Sequence, residues 1–264
     1  IRDDLVTGVQ TCALPIYTAD GLWHLAITGG GTSAISTLFG TAGASSTILD
    51  VQVPYHRSAL QNYLGTSQPQ ECSTATARAM AVRAFLNARS AMPEHRVFGL
   101  GCTAAIATNR HRKGTDRCHI AVQSENRTAC IDLTFDKSMT REEQEAQCRN
   151  AIINVMAEES GIKTGQDEKL STMAHNATED WQKLFMDRVA ITGTDSTGTN
   201  SDVTALLPGA FNPLHEGHRQ MLTRAGELLQ DQVTLEISIR NVDKPTLRSE
   251  EHTSELQSPD HLRM

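Results

Sequence analysis

The chain is expected to fold as an α/β protein in two parts. Strand-like and helix-like segments alternate from Leu22 to about Ile162, the pattern that builds a sheet covered by helices. A second, shorter strand–turn–helix–strand pattern begins after a polar segment rich in Gly, Ser and Thr, Thr192–Ser201, which reads as a linker or a substrate loop. With 264 residues the chain has room for one or two domains.

In the first part, Leu22–Ile27 reads as a strand, Thr28–Ser33 as a Gly-rich turn, and Ala34–Thr41 as a helix. Ile48–Val53 is a second strand, followed by a long Ala-rich helix, Cys72–Arg89, with Met80, Val82, Phe85 and Leu86 inside. Val97–Leu100, Cys118–Gln123 and Ala129–Phe135 are further strands. Arg141–Glu158 is an amphipathic helix, and Thr140 before Arg141-Glu-Glu143 is a capping signal. In the polar stretch that follows, Glu179–Val189 is a helix whose Trp181, Leu184, Phe185 and Val189 share a face. Two features here are candidates for chemistry. The turn Thr28–Ser33 otherwise reads as a tight crossover, and the basic loop Arg110–Lys113 as a solvated connection between strands.

In the second part, the apolar run Val203–Leu207 precedes Pro208-Gly-Ala-Phe-Asn-Pro-Leu-His-Glu-Gly-His218, and a helix, Arg219–Leu229, follows. A helix start offers free N–H groups and a positive dipole end to an anion. Gly209 and Gly217 let backbone approach a ligand closely. His215 and His218, three residues apart, face one side of a first helical turn and there can donate to phosphate oxygens. Gln232–Ile239 reads as the next strand, with Lys244 beyond it as a further phosphate contact or an ordinary surface lysine.

Gly209-Ala-Phe-Asn-Pro-Leu-His-Glu-Gly-His218 resembles the G-x-F-x-P-x-H-x-G-H signature of cytidylyltransferase-like nucleotidyltransferases, and Asn212-Pro213 is similar to the mononucleotide adenylyltransferase branch. The resemblance implies a Rossmann-like unit with His215 and His218 as catalytic residues. Gly209, Phe211, Asn212, Gly217 and Lys244 would bind nucleotide, and the substrate would be ATP with Mg²⁺. The reaction implied is in-line attack of a mononucleotide phosphate on the α-phosphate, with release of pyrophosphate. The family's downstream Ser/Thr-Arg segment has no counterpart before Leu247, so this domain, 203–247, is expected to be truncated to about one βαβ unit and inactive by itself.

The first part carries a different resemblance. Ala26-Ile-Thr-Gly-Gly-Gly-Thr32, Ala42-Gly-Ala-Ser-Ser46, Val53-Pro-Tyr55 and Gly99-Leu-Gly-Cys-Thr-Ala-Ala105 are similar to the C-terminal domain of CinA-like proteins, which include nicotinamide-mononucleotide amidohydrolases. That resemblance implies a three-layer α/β/α domain over 18–162, with 163–202 as helix and linker. The family's nucleophilic Ser falls on Thr28, its Tyr on Tyr55 and its Lys on Leu60. A Thr hydroxyl needs a base or cation to activate it, and Leu60 is neither. The alternatives to nucleotidyl transfer are therefore amidohydrolase chemistry and a nucleotide-binding module without turnover.

The chain's ends read differently. Codons for Arg248–Ser258, taken in reverse complement with the frame shifted, encode Val6–Ile16. That DNA string resembles a sequencing-library adapter, so 1–17 and 248–264 are expected to be non-native and are set aside from fold reasoning.

Composition narrows the function further. Net charge is −7 and no Lys/Arg stripe occurs, which argues against nucleic-acid binding. No apolar run is long enough for a membrane span. The six cysteines show no metal-ligand spacing and no metal is expected; reduced thiols and a cytoplasmic location are the simple reading. A homo-oligomer is left open.

Overall fold

The computed structural model describes residues 15–68, 70–110, 112–162, 172–186, 188–189, 205–209, 211 and 214–237. They fall into two compact units, divided after Asn176.

The first unit has β1 (Leu22–Thr28), α1 (Ser33–Phe39), β2 (Ile48–Gln52), α2 (Arg57–Leu64), α3 (Thr74–Ala91), β3 (Val97–Ala105), β4 (Asp116–Gln123), β5 (Arg127–Phe135), α4 (Arg141–Glu159) and β6 (Thr172–Asn176). They build a six-stranded sheet in the order β2-β1-β3-β4-β5-β6. β2, β1 and β3 are parallel, while β4, β5 and β6 run antiparallel to their neighbours. One face packs Leu25, Ile27, Leu100, Ile120 and Ile131 against Leu38 of α1 and Ile152 and Met156 of α4 in a single apolar cluster. On the other face α2 brings Leu60 onto Ala26 and Met80, and α3 brings Ala77 and Ala81 onto Ala121 and Cys130. The result is helix, sheet, helix, as expected. α4 starts where the sequence places it, because Thr140 accepts from the Glu143 amide and Glu143 accepts from the Thr140 amide.

Three observations differ from the expectation. The chain forms α2, which lacks a sequence signal because only Leu60 of its eight residues is buried. It also forms β6 inside the stretch read as helix and linker; β6 pairs with β5 through backbone, at the sheet edge, with its described side chains exposed. Finally, Ile16, set aside with the chain end, is fully buried in the main cluster, and the Tyr17 hydroxyl donates to Leu38 O at 2.5 Å. An apolar side chain at that point finds core surface to cover and does so whatever its origin.

The second unit contains α5 (Glu179–Phe185), shorter than expected, then β7 (Ala205–Pro208), α6 (Glu216–Leu229) and β8 (Val233–Glu236). β7 and β8 pair in parallel around α6, a βαβ arrangement. α6 begins three residues earlier than the sequence suggests, taking Glu216, Gly217 and His218 into its first turn. The linker 192–201 and the end of the expected strand to Ile239 lie outside the described residues.

Candidate functional site

In the first unit the Gly-rich turn follows β1, at the carboxyl end of the parallel strands where α/β sheets bind ligands. Three of its donors are already engaged. Glu145 of α4 accepts from Gly31 N at 2.7 Å, from Ser33 N at 2.9 Å and from the Thr32 hydroxyl at 3.3 Å. The turn can reach this carboxylate because Gly31 has φ +85° and sits where a Cβ would stand 2.7 Å from Ile152. A carboxylate of the chain thus takes the place of an external anion. Glu145→Ala is expected to leave two amides and a hydroxyl without their acceptor and to cost about 2 kcal/mol; urea denaturation measures it, and an unchanged midpoint would refute the role.

Thr28, the candidate nucleophile, is buried and its hydroxyl donates to Pro54 O at 3.1 Å. Tyr55 is exposed, and Leu60 is sealed in the apolar cluster under α2. Among the described residues no cation takes the position that the resemblance gives to Lys. The basic loop is also engaged internally: Arg112 donates to Ala105 O at 2.9 Å, to Ile106 O at 2.7 Å and to the buried Asp116 at 2.5 Å. His111 lies outside the described residues. None of the five described cysteines forms a disulfide. Cys102 Sγ lies 3.6 Å from Cys118 Sγ in the core, and donating a hydrogen bond to Cys102, with burial, pushes the Cys118 thiol well above its ordinary range. Such a thiol stays protonated and is a poor nucleophile.

The second unit gathers its described candidate residues at one point. Gly209 follows β7, and its amide donates to Glu236 O at 3.0 Å, which joins the carboxyl ends of β7 and β8. Phe211 has φ +47°, a strained value for a residue with a Cβ, yet its ring is buried. A Cβ on Gly209 would meet that ring at 2.6 Å, so Gly209 is what admits it. The Phe211 ring then meets His218 edge to face, with centroids 5.1 Å apart. His215, the N-cap of α6, stacks on His218 at 3.7 Å. His218 Nδ1 accepts from the His215 amide at 3.3 Å, which leaves the proton on Nε2. Both imidazoles therefore stand at the positive end of a 14-residue helix.

Residues 206–258 match the family model described as Cytidylyltransferase-like. This segment is similar to that family. It holds Gly209, Phe211, His215, Gly217 and His218 together. Asn212 and Lys244 fall within the matched stretch but outside the described residues. Solved structures resemble the remainder. The competence/damage inducible protein CihA from Agrobacterium tumefaciens is 18% identical, with 57% of this chain and 94% of that chain covered at a TM-score of 0.46. A CinA superfamily protein from Enterobacter cloacae is 14% identical, with 59% and 92% covered at a TM-score of 0.45. No curated protein matches the chain.

Beside the cytidylyltransferase-like segment, the structure reveals groups that local sequence reading missed. Glu145 is one, separated from its turn by more than a hundred residues. Thr74, His119 and Asp132 form another cluster; the polar side chain of His119 inside an apolar strand is the only local sign of it. Among the described residues no helix is long and apolar enough to cross a membrane, and no group of three His, Cys, Asp or Glu could hold a metal ion.

Proposed function

We propose that the second unit handles the triphosphate in adenylyl transfer from ATP to a mononucleotide, of the nicotinamide type. The observation that carries this is the pair of stacked imidazoles at the start of α6, with His218 held so that Nε2–H points away from its own backbone. His218 would donate that proton in a hydrogen bond to an α-phosphate oxygen, and His215 would donate to a neighbouring oxygen. Both bonds strengthen as negative charge grows on the phosphoryl group. The amides of Glu216 and Gly217, in the first turn of α6, add donors of fixed direction. Mg²⁺ carried on the triphosphate would neutralise its charge. The attacking mononucleotide phosphate needs no covalent enzyme intermediate, so positioning and charge stabilisation carry the rate. Gly209, Phe211, Asn212 and Lys244 are assigned to nucleotide binding, and the protein to the cytoplasm.

Titration calorimetry of the whole chain with ATP and Mg²⁺ tests this. Binding is expected, and the double change His215→Ala/His218→Ala is expected to weaken it at least about tenfold, the loss of two charge-assisted bonds. Equal affinity in the variant would remove the histidines from the phosphate site.

For the first unit, the burial of Leu60 favours a nucleotide-binding module without turnover over an amidohydrolase. Ammonia release from nicotinamide mononucleotide would overturn that preference.

A further inference from the structure

A second cluster of reactive groups lies on the first unit. Thr28, Thr103, His119 and Asp132 form one row across the sheet, each paired in register with the next strand's member. The row crosses β1 and β3 where β2 and β3 depart from β1 to opposite sides, the point at which α/β sheets open a crevice. α3 can descend onto this row because a Cβ at Gly99 or Gly101 would collide with its backbone at 2.2 or 2.1 Å. The descent brings Thr74, the first residue of α3, against Asp132. Its Oγ1 lies 3.0 Å from Asp132 Oδ1, 2.9 Å from Oδ2 and 3.1 Å from His119 Nδ1. His119 Nδ1 is 2.7 Å from Asp132 Oδ1. Asp132 is exposed and Thr74 half-buried. His119 Nε2 is buried and has no partner, so Nδ1 is the ring nitrogen that meets Asp132.

We propose that Thr74, Asp132 and His119 form a hydrolytic centre for small acyl esters, with Thr74 as nucleophile. Thr74 Oγ1 attacks the carbonyl carbon while its proton passes to Asp132. The C–O bond to the leaving alcohol breaks, and that proton goes to the alkoxide. Water then attacks the acyl-Thr74 ester, giving its proton to Asp132. The carboxylic acid leaves, and Thr74 Oγ1 recovers the proton. His119 is a positioning residue that holds Asp132 through Nδ1. A hydroxyl is a weak nucleophile until a neighbouring base takes its proton, and this hydroxyl has that base within hydrogen-bond distance. The centre does not depend on the reading of the second unit.

The test is incubation of the whole chain with p-nitrophenyl acetate, an acid quench, and peptide mass mapping. An acetyl group on Thr74 is expected, retained in Thr74→Ser and absent in Thr74→Val. In Asp132→Asn the rate of p-nitrophenolate release should fall about a hundredfold, the usual contribution of a general base. His119→Asn should lower kcat for the ester with KM unchanged, a split that a purely structural contact would not give. The wild-type map decides even where a variant fails to fold. Acetylation confined to lysines, or a rate unchanged in a folded Asp132→Asn, would overturn the proposal and leave the three residues as a brace between α3 and the sheet.

Discussion

Gly101→Ala is expected to destabilise the first unit by about 3 kcal/mol, at the upper end of what overpacking a core costs. The new methyl group would stand 2.1 Å from Ala77 O, 2.6 Å from Ala81 N and 2.7 Å from Met80 Cβ. Two of those atoms are backbone, so no rotamer change relieves the contact. α3 would have to lift off the sheet along the whole seam of Ala77, Ala81, Ala84 and Ala88, all of them buried. For a domain of this size the loss corresponds to a fall of roughly 10 °C in Tm, measurable by circular dichroism. A Tm within one or two degrees of wild type would show that the close approach of α3 is not what the glycines secure. The same displacement would carry Thr74 away from Asp132.

Asp116→Asn is expected to remove an acid-sensitive part of the stability. The Asp116 side chain is almost fully buried, and burial by itself would raise its pKa. Hydrogen bonds from Lys137 at 2.9 Å, Gln144 at 3.2 Å and Arg112 more than offset this and hold the carboxyl below its ordinary value of 3.8. A carboxyl with a lowered folded pKa stabilises fully above its unfolded value and loses that contribution as pH falls through the folded one. The wild-type chain should therefore lose stability steeply below about pH 4, and the variant less so. At neutral pH the variant should be about 3 kcal/mol less stable, because it leaves two cations facing a neutral amide. Urea denaturation from pH 7 down to pH 3 checks both arms. Parallel pH curves for the two proteins would rule out Asp116 as the source.

What sequence could show depended on how far apart the interacting residues lie. α3 was legible from its Ala-rich run and α4 from the Thr140 cap, since both signals are local. So was the histidine turn, where His215 and His218 meet because three residues make nearly one helical turn. α2 was not, since its single buried residue leaves no periodic trace, and β6 was not, since its described side chains face solvent and pairing with β5 is what makes it a strand. The contacts that matter most in the first unit join Glu145 to Gly31 and Thr74 to Asp132, pairs brought together only by the sheet. Their residue types are ordinary, and no spacing announces them.

Glu145 also changes what the Gly-rich turn means. An intramolecular ligand acts at an effective concentration of about millimolar or above when its tether is short and well aimed, and Glu145 is held on a rigid helix. Any dissolved phosphate arriving at this turn must compete against that permanently present rival. A glycine pattern advertises amides; whether they are vacant is decided by the opposite layer of the fold.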